Sequence, residues 1–200
     1  MDRELFSKLI NERILFIDGA YGTEFFKRGI TKGSAPVELL NVTNPDAVSQ
    51  LQDEYAKAGV DFLLTNTFSA NRHKLRKLNC EELFYDINVN AVRIAKESAK
   101  RAKELYGRDV YVLGDISSVG EMIVPFGKLD SEYVYNIFKE QAQLLYDAGV
   151  DGFIIETMSD LKELKIAYLA VRDVTQELPL LVSMTFEENG VSVTGTSLEI

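Results

Sequence analysis

Unbroken runs of apolar residues alternate along the chain with segments in which apolar residues recur every third or fourth position. The first pattern predicts a parallel strand covered on both faces, the second an amphipathic helix. Five runs of the strand type occur: "ILFI" from Ile14, "VDFLL" from Val60, "DVYVLGD" around Val110, "VDGFII" from Val150 and "PLLVSMTF" from Pro179. Between them, "NPDAVSQLQDEYAKAG" offers Asn44 as N-cap and Pro45 at N1, with Val48, Leu51 and Tyr55 on one face. From Glu81 to Tyr106 the positions Phe84, Ile87, Ala91, Ile94, Ser98, Ala102 and Leu105 keep helical spacing, and Gly107 closes the segment. "DSEYVYNIFKEQAQLLYDAG" and "SDLKELKIAYLAVRDV" repeat the design, with Ser131 and Ser159 as expected N-caps. At the N-terminus, Leu5, Phe6, Leu9 and Ile10 share one face of a charged helix, which is unlike a signal peptide.

Two segments share a frame, "AGVDFLLTNTF" from Ala58 and "AGVDGFIIETM" from Ala148. In each a helix ends on a glycine suited to the left-handed C′ position, and a strand begins at once. Strand and helix alternate with no Pro/Gly/Ser-rich linker, so residues 1–200 read as one α/β unit with a parallel sheet and no second domain. An open doubly wound sheet and a closed (β/α)8 TIM barrel both satisfy this pattern. The turn "DGAYGT" lacks the G-x-G-x-x-G spacing of a dinucleotide fold, and no Walker loop is present. A barrel needs about 250 residues, so five strand-helix units are too few to close one. "TGTSLEI" also looks like the opening of another helix, capped by Thr196 or Ser197. The expectation is a truncated TIM barrel holding about the first five units, with the strand around Val182 at an unclosed edge.

Composition narrows the function. Lys and Arg number 22 against 31 Asp and Glu, a formal charge of −9, which argues against nucleic acid or anionic lipid as partner. No run approaches the roughly 20 apolar residues that span a bilayer. The single cysteine, Cys80, rules out an internal disulfide and fits the cytoplasm. Neither Cys80 nor His73 has partners at metal-ligand spacing, and no lysine ends a strand, which argues against Schiff-base chemistry.

In parallel α/β folds ligands bind at the carboxyl ends of the strands. Those ends are polar here: Asp18; Thr65, Asn66 and Thr67; Asp115, Ser117 and Ser118; Glu156 and Thr157; Thr185 and Glu187. Asp18 and Glu156 directly end all-apolar runs, where an unpaired carboxylate costs several kcal/mol unless a cation or a set of N–H groups meets it. An amine is the simplest partner for both. Gly19 lets backbone approach that ligand closely. A non-catalytic amino-acid-binding barrel remains a second class of reading. A third is a divalent-metal enolising barrel built on Asp18, Asp115 and Glu156.

Taken in order, "IDGAYGTE", "LTNTFSAN", "GDISSVGE", "IETMSDLKE" and "SMTFEENGVSVTG" resemble the homocysteine S-methyltransferase family, and within it the homocysteine-binding modules of cobalamin-dependent members. The resemblance covers almost the whole chain. It implies a (β/α)8 barrel in which zinc binds the homocysteine sulfur and the thiolate takes a methyl group from methylcobalamin carried on another module, giving methionine. Betaine- or S-methylmethionine-dependent members are the alternative. Mapped by motif, Asp18 and Glu156 hold the homocysteine ammonium, Gly19 and Ala20 lie against the substrate through their backbone, and Asn66, Thr67 and Ser117 line the pocket. The family's zinc ligands are cysteines in motifs that do not occur here, so the resemblance puts them beyond Ile200 and implies that this segment alone is inactive. It also implies cobalamin- and folate-binding modules in the same longer chain.

Overall fold

A computed structural model describes residues 1–31 and 36–199. Helix α1 (Arg3–Glu12) leads into an extended segment, 13–18, and then into α2 (Gly22–Lys27), α3 (Leu40–Thr43) and α4 (Pro45–Ala58). Strand β1 (Phe62–Leu64) is followed by α5 (Arg72–Lys77), α6 (Phe84–Tyr106), β2 (Tyr111–Ile116), α7 (Ser131–Asp147), β3 (Gly152–Met158), α8 (Leu161–Val174) and β4 (Leu180–Met184).

The strands pair in parallel in chain order, β1-β2-β3-β4, and the extended segment joins the outer side of β1 through a parallel bridge from Ile17 to Phe62. A doubly wound sheet reverses its strand order part-way; an order that follows the chain is that of a barrel wall. The fold is therefore the expected α/β one, a partial TIM barrel.

Alternation along the strands divides the apolar residues between two faces. Phe62, Leu64, Leu113 and Ile154 pack with Leu15, Ile17 and Leu181 on the inner face. Phe6 of α1 meets Phe62 edge-to-face, with ring centroids 6.1 Å apart. On the outer face Leu63, Val112, Ile116, Phe153 and Ile155 form the main core with Val92, Phe138, Leu145 and Ala167 of the helices.

The repeated frame has a specific role in the parallel register. Asp61 donates its backbone N–H to Phe16 O (2.8 Å) while its carboxylate accepts from Phe16 N (2.8 Å). Asp151 does the same two strand pairs further on, with Val112 O at 2.7 Å and Val112 N at 2.8 Å. Each aspartate thus grips both backbone groups of one residue on the preceding strand. Gly59 and Gly149, at φ 109° and 96°, reverse the chain just before it, a conformation that favours glycine.

Several expectations need correction. "ILFI" contributes a single bridge rather than a covered strand: Leu15 and Ile17 turn inward while Ile14 and Phe16 are 79% and 60% exposed. The expectation for Val182, by contrast, agrees with the fold: β4 is an edge strand of the described sheet, and its Val182 is 50% exposed. The caps of α7 and α8 are Asp130, one residue before the expected Ser131, and Asp160, one residue after the expected Ser159, because their carboxylates reach the N–H groups of Glu132 (2.8 Å) and Lys162 (2.8 Å). Among the described residues no helix opens at Thr196 or Ser197. Val191 and Ser197 instead bridge antiparallel around a turn, and Ser192 Oγ accepts from Thr196 N at 3.1 Å. Leu105 is 70% exposed, since α6 runs on past the sheet-covering face.

Asp151→Ala leaves the buried Val112 N–H without its side-chain acceptor, and is expected to cost about 1–3 kcal/mol in urea denaturation. Lys96→Met, which removes only the exposed 2.7 Å ion pair to the same carboxylate, is expected to cost less than about 1 kcal/mol.

Candidate functional site

The in-order parallel sheet brings the strand ends to one mouth, where a cavity of about 720 Å³ opens. Of the residues singled out in the sequence, Asp18, Gly19, Ala20, Asn66 and Glu156 line it. Thr67 and Ser117 are not in its wall but brace it from behind. Thr67 Oγ1 donates to Asp115 O (2.7 Å), so it must accept from Thr65 Oγ1 (2.6 Å), which in turn accepts from Asp115 N (2.9 Å). Ser117 Oγ donates to Glu156 O at 2.8 Å.

Asp18 is fixed by one oxygen only. Its Oδ2 accepts from Leu64 N at 3.0 Å and from Tyr21 Oη at 2.8 Å, and Gln52 steadies the tyrosine from 3.0 Å. Its Oδ1 is sealed from solvent and has no donor among the described residues. Burial, reinforced by the Glu156 charge and opposed by those two hydrogen bonds, pushes the Asp18 carboxyl up to about 7. Gly19 lies against Tyr55, whose hydroxyl would stand 3.0 Å from an added Cβ and donates to Ala20 O at 2.8 Å.

Glu156 sits where β3 breaks its register. Its neighbour Thr157 has φ 60°, uncommon for a β-branched residue, and the pairing shifts between Ile155 and Met158. Period-two alternation puts Glu156 on the inner face with Ile154, as it puts Asp115 with Leu113. Burial raises the Glu156 carboxyl too.

Sequence reasoning did not place Glu38, Tyr21, Gln52 or Lys74 at the site. Glu38 accepts from Ser69 N (2.7 Å) and Glu163 from Val119 N (2.7 Å), so buried carboxylates tie successive loops together. Lys74 is half-buried, 3.2 Å from Ser69 Oγ, and burial lowers its pKa while Glu38, Glu163 and Asp115 raise it. Asn66 spends its amide on Val37 O (2.9 Å) and Asn41 Oδ1 (3.0 Å). Glu38, Gln52 and Lys74 lie on helical segments, and which side chains of those segments turn toward the cavity depends on tertiary packing.

With this geometry, comparison with known proteins is decisive. The profile of the family described as homocysteine S-methyltransferase matches residues 15–200. The chain belongs to the homocysteine S-methyltransferase family. Among its curated relatives, the methionine synthase of Mycobacterium leprae (strain TN) is 29% identical over 198 residues, 94% of this chain. That of Mycobacterium tuberculosis (strain ATCC 25618 / H37Rv) is 27% identical over 199 residues, 95% of this chain. The chain spans 16% of the length of either relative. In fold, it resembles the Escherichia coli homocysteine methyltransferase MmuM in its metallated form, with a TM-score of 0.81 at 17% identity over 96% of this chain and 70% of that one. The apo form gives 0.74 at 18% identity, covering 95% of this chain and 66% of that one.

The zinc implied by family resemblance does not fit the donors present. Cys80 is buried against Leu75, Phe84 and Ile87, its Sγ 3.5 Å from Leu75 O, and burial pushes the thiol up. His73 contacts Tyr133 Oη at 3.0 Å and faces Glu121 at 3.5 Å. Neither residue lines the cavity, and among the described residues no three His, Cys, Asp or Glu side chains are arranged to hold a metal ion. Among the described residues no helix is long and apolar enough to cross a membrane.

The raised carboxyls fix the sign of a pH effect. Asp18 binds its proton more tightly folded than unfolded, so its contribution to stability is full below about 4 and is lost as pH rises to about 7. Free protein is expected to unfold at lower urea concentration at pH 8 than at pH 5. Asp18→Asn is expected to flatten this dependence, whose slope from one such group approaches about 1.4 kcal/mol per pH unit.

Proposed function

We propose that this chain forms the amino-acid end of a homocysteine-binding site, in a methyltransferase of methionine synthase type that converts the homocysteine thiol to the methyl thioether of methionine. The observation carrying this reading is the pair Asp18 and Glu156: two carboxylates facing one cavity, both with raised pKa, and no cation paired with either among the described residues. Placed between them, an ammonium supplies the missing counter-charge and donates to the orphaned Asp18 Oδ1. Gly19 and Ala20 offer backbone to the same ligand, and Asn66 closes the wall, with Thr67 and Ser117 holding strand ends in place.

Family membership and the methionine synthase relatives support this reading, as does the position of the cavity at the carboxyl ends of the strands. In the reaction the sulfur loses its proton and gains the methyl group as the bond from methyl to its donor breaks. We assign no described residue to sulfur activation or to methyl delivery; in this reading the zinc ligands and the cobalamin- and folate-binding modules lie elsewhere in a longer cytoplasmic protein, and residues 1–200 belong to one barrel. The methyl donor is methylcobalamin on this reading.

In the complete protein, Asp18→Asn and Glu156→Gln are each expected to weaken homocysteine binding by roughly 10- to 150-fold, the worth of a charge-assisted hydrogen bond. Binding of 4-mercaptobutanoate, which lacks the amino group, is expected to stay unchanged. Homocysteine affinity is also expected to fall as pH drops below about 7, where a proton occupies Asp18. Equal losses for both ligands would defeat the assignment.

A further inference from the structure

Asp115 is an acid that neither the fold nor the proposed site yet uses through its side chain. Its backbone is held by Thr65 and Thr67, but its carboxyl lines the cavity, only 4% of the residue is exposed, and Oδ1 is sealed from solvent without a donor among the described residues. Glu38 and Glu163, by contrast, each accept a loop N–H. Leaving a buried carboxyl oxygen unpaired is costly, and natural folds keep such an atom mainly where a ligand completes it. A second such atom, Asp18 Oδ1, belongs to another residue of the cavity wall, and Glu156 lines the same space from β3.

The chemistry of the ligand supplies the match. A primary ammonium has three N–H donors and requires three acceptors when taken out of water. Asp18 and Glu156 provide two. We propose that Asp115 is the third acceptor of the ligand's ammonium, so that the three carboxyls form a cradle selective for a primary amine over its N-methylated forms.

This deepens the reading of Asp18 and Glu156 and rests on it. The charged groups that act on Asp115 are Glu156 and Asp18, then Glu38 and the cation Lys74, and Lys77 lines the same cavity. Burial first, then the three acids, raise its carboxyl well above the usual range, and Lys74 opposes them. In the free site burial and mutual repulsion favour the protonated forms of these acids. An arriving ammonium displaces protons as it restores charge balance, so binding is coupled to proton release.

The test uses the complete protein, with homocysteine, N-methylhomocysteine and 4-mercaptobutanoate titrated by calorimetry in two buffers of different ionisation enthalpy. Wild-type protein is expected to prefer homocysteine to its N-methyl derivative by at least roughly tenfold and to release protons on binding. Asp115→Asn, nearly isosteric, is expected to weaken homocysteine binding by roughly 10- to 150-fold and to release fewer protons, with the preference over N-methylhomocysteine diminished. Binding of 4-mercaptobutanoate is expected to be unaffected, which shows that the variant is folded; Asp115→Ser serves as a second variant. Unchanged homocysteine affinity and proton release in both variants, or equal losses for all three ligands, would overturn the role of Asp115 alone. A wild-type protein that binds 4-mercaptobutanoate as well as homocysteine would overturn the ammonium reading of Asp18 and Glu156, and Asp115 with it.

Discussion

The two-point grip of Asp61 on Phe16 and of Asp151 on Val112 sets the register on which the site depends. A slip of one residue in a strand exchanges its faces. If β2 slipped, Leu113 and Asp115 would leave the inner face; if β3 slipped, Ile154 and Glu156 would. Parallel pairing alone does not prevent this, because its evenly spaced bonds look alike at each step. An aspartate that accepts the N–H and donates to the C=O of the same residue distinguishes one register from its neighbours. The glycine two residues earlier ends the helix so that this aspartate arrives at the strand's start.

With register fixed, the mouth gathers acids, and the fold treats them unequally. Glu38 and Glu163 spend an oxygen on loop N–H groups, which knits the loops after β1 and β2 to neighbouring helices. Asp18 spends one oxygen and keeps the other. Asp115 and Glu156 have their backbones clamped, by Thr65, Thr67 and Ser117, while their carboxyls face the cavity. Such a division holds the acids rigidly in place without neutralising them. Its cost is mutual repulsion and desolvation, which raise their pKa values and lower the stability of the empty site, a trade common where binding needs preorganised charge.

Much of this was legible in the sequence, for a physical reason that also marks the limit. Long periodic segments announce α4, α6, α7 and α8, and the glycines at positions 59, 107 and 149 announce where α4, α6 and α7 stop. Asp18, Asn66 and Glu156 follow apolar runs and do line the cavity. What escaped depends on contacts across the chain. Whether "ILFI" is covered on both faces is decided by what lies beside it, and local pattern carries no record of that. Asp130 and Asp160 cap helices in place of Ser131 and Ser159 because side-chain reach to the second N–H selects between adjacent candidates. Glu38 and Lys74 lie on helical segments whose sequence gives no sign that the cavity side is theirs.

Thr157 bears on how firmly the acids are aimed. A β-branched residue at φ 60° is held there against its own preference, and its N–H is received by Ser183 Oγ of β4 at 3.0 Å. The kink interrupts pairing just past Glu156, while Ser117 of the β2 end binds the Glu156 carbonyl. Glu156 is thus clamped from both neighbouring strands at the point where its own strand departs from regular geometry. Backbone strain of this kind persists only where surrounding contacts over-determine it, and here those contacts come from the two strands flanking β3. The aim of Glu156 is therefore a property of three strands together, which is why a local apolar run ending in a glutamate could indicate the residue but not the orientation that makes it useful.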